Sequence, residues 1–128
     1  LTGLLLDTHA ALWWWRDPPR LSAAATAAIA ESADVAVSIV SALEIAIKWR
    51  TGKLAMLDDP VVNYPKLMAA NGFASLAIAE THALAVALLP TDHRDPFDRL
   101  IAAQALAEGL IVVTRDPVFR NFGCKVLW

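Results

Sequence analysis

Acidic residues recur in this chain where an apolar run gives way to polar sequence. Asp7 follows Leu4, Leu5 and Leu6, Glu44 follows the β-branched run of 35–40, and Asp116 follows the run of 110–114. Asp95 and Asp98 form a further pair three residues apart, so a helix opening there carries both on one face. Carboxylates held ~4 Å apart repel by about 4 kcal/mol at a near-surface effective dielectric. A cluster of them therefore takes up protons or binds a cation. An all-oxygen donor set suits a hard divalent ion, Mg²⁺ or Mn²⁺. Zinc is disfavoured, since His9, His82 and His93 lack a histidine partner at i,i+4 and Cys124 is alone. A cation so held can bind a phosphate oxygen, lower the pKa of a water and steady a leaving oxygen, as phosphodiester hydrolysis requires.

Each acid also has an ordinary structural role open to it. Asp-Pro occurs at Asp17, Asp59, Asp95 and Asp116, and each is a helix-start or turn signal. Asp95 as N-cap with Asp98 at N3, and Glu44 paired with Lys48 at i,i+4, account for these residues without chemistry. Whether the acids meet depends on the elements that carry them.

The run 4–6 is too short for a helix and reads as a strand covered on both faces, as does 35–40. Between them lie a helix over 8–16, stopped by Asp17-Pro18-Pro19, and an Ala-rich helix to about Ser32 capped by Ser22. Ser41 with Glu44 has the spacing of a capping box opening a third helix, ended by Gly52 at Lys53. A helix is expected over 60–71, a strand over 73–78, a helix over 80–89 and a polar loop over 91–94. Asp95-Pro96 then opens a helix that Gly109 stops, followed by strands over 110–114 and 125–127 with an irregular turn between. Strands alternating with helices predict a three-layer α/β/α sandwich with a mainly parallel central sheet. In such sheets ligands bind beyond the carboxyl ends of the strands. Asp7, Glu44 and Asp116 converge there, and Asp98 joins them if its helix starts near the same edge.

Composition sets the outer limits. With 128 residues, 57% of them hydrophobic and 19% charged, the chain reads as one folded domain over 1–128 rather than a disordered segment. The run 83–89 falls far short of the ~18 residues of a membrane span, and Asp7 interrupts what would be the apolar core of an export signal. A lone cysteine suits a reducing compartment, and a cytoplasmic location is expected. A net charge of -2 lacks the basic field of a typical nucleic-acid-binding domain, so a polyanionic substrate would need a bound cation.

The segments LLLDTHAALWWW (4–15), SALEIAIKWRTGKL (41–54), HRDPFDRLIAAQALAEG (93–109) and VVTRD (112–116) together resemble PIN-domain nucleases, in particular the VapC-type toxins of bacterial toxin-antitoxin pairs. The resemblance implies that Asp7, Glu44, Asp98 and Asp116 are the catalytic and metal-binding acids, with Asp95 in a second tier. It implies hydroxyls from Ser41 and Thr114 near the site. It further implies Mg²⁺- or Mn²⁺-dependent cleavage of an RNA substrate, with Glu44 or Asp98 taking a proton, in a homodimer inhibited by a cognate VapB-like antitoxin.

Trp13, Trp14 and Trp15 advance about 100° each on a helix, so at least one is expected to be exposed or in an interface. Arg94, Arg99, Arg115, Lys48, Arg50 and Lys53 adjoin the acids and could hold phosphates, although solvated charge or local ion pairing is the ordinary fate of such residues. His9, two residues from Asp7, could touch substrate or be structural. A receiver-like signalling module or a non-catalytic PIN-like binding module is the alternative. Against a receiver, Thr8 stands where a second acid is needed and Lys125 precedes an apolar run instead of following it; against a haloacid-dehalogenase-like phosphatase, His9 stands two places after Asp7. Retention of all four acids opposes a dead scaffold.

Overall fold

The computed structural model describes residues 3–90 and 92–128. Its centre is strand β1 (Leu4–Leu6), buried throughout. It pairs in parallel with β2 (Val35–Ser38) on one side and β4 (Ile111–Val113) on the other, with Leu5 opposite Ala36 and Val112. Strands β3 (Ala74–Leu76) and β5 (Val126–Leu127) complete a parallel sheet of order β3-β2-β1-β4-β5.

Side chains along a strand alternate between faces, and the three leucines of β1 divide the core accordingly. Leu4 and Leu6 join Val35, Val37 and Val113 beneath α1 (Thr8–Arg16), α2 (Ala23–Glu31) and α4 (Pro60–Asn71), which contribute Ala11, Ala25, Ile29 and Met68. Leu5 joins Ala36 and Val112 on the other face beneath α3 (Ile39–Arg50), α6 (Pro96–Glu108) and α7 (Val118–Asn121), through Val40, Ile101, Ala105 and Phe119. The result is the expected three-layer α/β/α arrangement. Helix α5 (Glu80–Ala85) continues into a 3-10 turn, Val86–Leu88, and packs on α6. Among the described residues, no helix is long and apolar enough to cross a membrane.

Several boundaries differ from the sequence reading. Strand β2 ends at Ser38, whose Oγ accepts the Val40 amide at 3.0 Å and starts α3 three residues earlier than a Ser41 cap would. Ser38 also donates to Gln104 Oε1 of α6, and this buried tie selects it over Ser41. Glu44 therefore sits in the second turn of α3, and no capping box forms. The strand expected over 73–78 shrinks to Ala74–Leu76, because an edge strand has β2 as its one partner. The helix expected over 80–89 loses its last turn to 3-10 geometry. Arg20 lies in a 3-10 turn, Pro18–Arg20, and the irregular turn before β5 contains α7. Of the loop expected over 91–94, Thr91 lies outside the described residues.

The tryptophans also depart from expectation. Trp13 is 6% exposed, and Trp14 and Trp15 are half-buried against their own domain. Trp14 Nε1 donates to Asn71 Oδ1 at 3.0 Å, and Trp15 packs on Tyr64 and Phe73. Helix α4 and the segment entering β3 thus cover the arc that helical geometry alone leaves open.

Candidate active site

The carboxyl ends of β1 and β4 open into a cavity of about 680 Å³. Asp7, Glu44, Asp95, Asp98 and Asp116 all line it. Residues drawn from four separate stretches of sequence are thereby brought together.

Asp7 leaves β1 with its amide on Val113 O at 3.1 Å, which fixes the end of the strand against β4. Its Oδ1 caps α1 by accepting the Ala10 amide at 2.7 Å, and its Oδ2 accepts the Thr114 hydroxyl. Thr114 Oγ1 in turn accepts the Asp116 amide at 3.0 Å, so one hydroxyl ties two acids together. Asp116 Oδ1 accepts the Val118 amide at 3.0 Å. Burial raises the Asp7 pKa above the ordinary carboxylate value, with Asp116 adding to the rise, despite the opposing bonds from Thr114 and Ala10.

Glu44 is buried, and both its oxygens are engaged. Lys48 Nζ holds Oε2 at 2.6 Å, one turn further along α3. Thr8 Oγ1 lies 2.6 Å from Oε1 and 2.9 Å from Ser41 Oγ. One hydroxyl proton cannot serve both, so Thr8 donates to the carboxylate and receives the hydrogen of Ser41. Ser41 therefore stands behind Glu44, not in the cavity wall, and Thr114 likewise stands behind Asp7.

Asp95 caps α6 through Oδ1, which accepts the Phe97 amide at 2.9 Å and the Asp98 amide at 3.3 Å. Asp98, one turn in, has its pKa pushed up to about 6, first by burial and then by Asp95, with smaller contributions from Asp116 and Glu44. His93 Nε2, 3.1 Å from Oδ2, opposes that rise. Donor atoms of His93, Asp95 and Asp98 lie within 4.8 Å of one another. Asp7 and Asp98 resist ionisation chiefly because they are buried, and carboxylates gathered on one cavity form a donor set that fits a hard divalent cation.

The basic residues sort differently from the sequence reading. Lys48, Lys53 and Arg115 line the cavity; among the described residues, Arg50, Arg94 and Arg99 do not. Arg20, which sequence reasoning missed, lies on the rim with Arg115. Both guanidinium groups rest on the Trp13 ring, at 5.9 and 5.1 Å from its centre. Thr8 and His93 were also missed as site groups. Thr8 follows Asp7 directly and so carried a positional signal, whereas His93 reaches Asp98 through a loop closure that spacing does not encode.

A family model described as PIN domain matches residues 4–123. The chain is 36% identical over 121 residues to "Ribonuclease VapC22" of Mycobacterium tuberculosis, covering 94% of this chain and 92% of that protein. Among solved structures, FitAcB from Neisseria gonorrhoeae superposes with a TM-score of 0.66 at 22% identity, over 96% of this chain and 95% of that one. VapBC2 from Rickettsia felis bound to a promoter DNA fragment also reaches 0.66, at 16% identity over 96% of each chain. DNA-bound VapBC from Salmonella typhimurium reaches 0.63 at 17% identity, over 98% of this chain and 97% of that one.

Proposed function

The chain belongs to the PIN domain family, and from that premise we propose that it is a metal-dependent endoribonuclease, the toxin of a toxin-antitoxin pair. The observation that carries this reading is the meeting of Asp7, Glu44, Asp95, Asp98 and Asp116 around one cavity. Asp7, Glu44, Asp98 and Asp116 would hold Mg²⁺ or Mn²⁺, with Asp95 at the margin. When bound, the ion supplies Lewis-acid activation of water and charge neutralisation at the phosphodiester.

The protein's own groups do the rest. Thr114 keeps Asp7 and Asp116 in fixed relation, while Thr8, backed by Ser41, and Lys48 orient Glu44. Arg20 and Arg115, steadied on Trp13, offer cationic contacts for RNA phosphates beside the acids. Glu44 or Asp98 accepts the proton of the attacking water. An RNA substrate places the action in the cytoplasm.

The fold neighbours include a toxin-antitoxin complex from Klebsiella pneumoniae, and a cognate VapB-like antitoxin together with homodimerisation completes the proposal. Ile39, Leu43 and Ile47 lie four apart along α3 and are 42, 52 and 45% exposed, an apolar stripe available to a protein partner. Purified protein incubated with structured RNAs in Mn²⁺, Mg²⁺ or EDTA, beside Asp98→Asn, tests the catalytic reading. Cleavage should need the metal and vanish in the variant. Cleavage that persists in EDTA and in Asp98→Asn would refute it.

A further inference from the structure

Each carboxylate of the cavity has at least one oxygen anchored by the protein. Backbone amides of Ala10, Phe97 and Val118 anchor Asp7, Asp95 and Asp116, and Thr8 and Lys48 anchor Glu44. Asp98 is anchored at Oδ2 by the His93 imidazole. His93 is itself held at two points. Its backbone carbonyl accepts Arg99 Nη1 at 2.9 Å, and Arg99 Nη2 reaches Val86 O at 2.9 Å, closing the loop that follows α5. The ring meets buried Phe122 edge-on at 5.7 Å, and the Arg99 guanidinium lies over that same phenyl ring at 5.7 Å.

We propose that His93 is a positioning residue for the cation site, holding Asp98 Oδ2 so that Oδ1 is the oxygen presented to the cavity. The inference rests on the reading of Asp98 as a metal ligand. Asp98 faces Asp95, Asp116 and Glu44, and repulsion from like charges favours rotation of its carboxylate toward solvent. An ionised carboxylate is acceptor-only, so the Nε2–H donates and opposes that rotation. A polar group that orients a ligand typically contributes about 10–100-fold to metal affinity. The role does not follow from a histidine's being near an acid. It follows from the loop, the Arg99 clamp and the Phe122 contact, which fix the imidazole before any metal arrives.

The test is Mn²⁺ titration of the full chain without RNA, followed by electron paramagnetic resonance of free Mn²⁺, in the wild type and in His93→Ala, His93→Phe, His93→Gln and Asp98→Asn. His93→Phe keeps a ring against Phe122 but has no N–H, whereas His93→Gln keeps an N–H donor. We expect His93→Ala and His93→Phe to weaken Mn²⁺ binding about 10–100-fold, His93→Gln to recover part of that loss, and melting in EDTA to change little for His93→Phe. Affinity within twofold of the wild type in His93→Phe, alongside loss of binding in Asp98→Asn, would overturn the positioning role and leave the metal site standing. A nitrogen coupling to bound Mn²⁺ that disappears in His93→Gln would also overturn it, since the imidazole would then be a direct ligand. Wild-type binding in Asp98→Asn would remove the metal-site reading, and this inference with it.

Discussion

Helix α6 carries a histidine–carboxylate pair at each end, His93 with Asp98 near its start and His82 with Glu108 at its close, at 3.1 and 2.9 Å. The contacts are alike and the surroundings are not. His82 is buried, its Nδ1 accepts the Ala79 amide at 3.0 Å, and its partner Glu108 is half in water, 48% exposed. That pair fastens α5 to α6. Asp98 lies at a helix N-terminus, where the backbone dipole favours negative charge, and it also accepts a hydrogen bond. Its pKa nevertheless rises to about 6, because burial and facing carboxylates outweigh both. The same pair is a fastener where its acid faces water, and part of the proposed cation site where its acid faces other acids.

The comparison is broken most sharply by neutralising each acid. Asp98→Asn should lower RNA cleavage by on the order of 10³-fold, more than the 10–100-fold typical of a group that only orients a ligand. Glu108→Gln should leave the rate within a factor of two, and initial rates under saturating Mn²⁺ decide between them. If both variants are equally impaired, the distinction between the two ends is false.

Removing the imidazoles gives the next largest effect. His82→Ala leaves the Ala79 amide without its partner and should cost about 1–3 kcal/mol in urea unfolding, with Mn²⁺ affinity unchanged.

The smallest effect is on pH dependence. An acid whose pKa is raised on folding binds more protons folded than unfolded, so its contribution to stability falls as pH rises from the ordinary 3.8 through about 6. The metal-free Asp98→Asn protein should therefore melt a few degrees above the wild type at pH 7.5 and lose that advantage near pH 4. Mn²⁺ affinity of the wild type should rise over the same interval, as the ligand sheds its proton. Differential scanning calorimetry in EDTA reads the first effect, and titration calorimetry the second.

Much of this was legible in the residues themselves. Asp95-Pro96 and Gly109 bracket α6, and Gly109 adopts the left-handed geometry, φ 66°, that a helix stop needs. An acid directly after a short apolar strand placed Asp7 at the carboxyl edge of the sheet. Ser38 and Ser41 are equally good caps on local grounds, and Gln104, distant in sequence, decides between them. The three tryptophans could be assigned angles on a helix, but the residues that cover them, Asn71, Tyr64 and Phe73, arrive from another part of the chain. His93 was hidden for the same reason, since its place depends on Arg99 bridging two carbonyls. What sequence did not yield is in each case a choice made by tertiary contact.

The central strand comes early in the chain, yet one of its two neighbours comes near the close, and Thr114 and Asp7 are bonded across 107 positions. A nascent polypeptide still tethered to the ribosome cannot assemble the acidic cavity until β4 and Asp116 have cleared the exit tunnel. On the proposed reading, fragments from interrupted translation that stop before that point should not cleave RNA, and synthesis itself would delay the appearance of a competent enzyme.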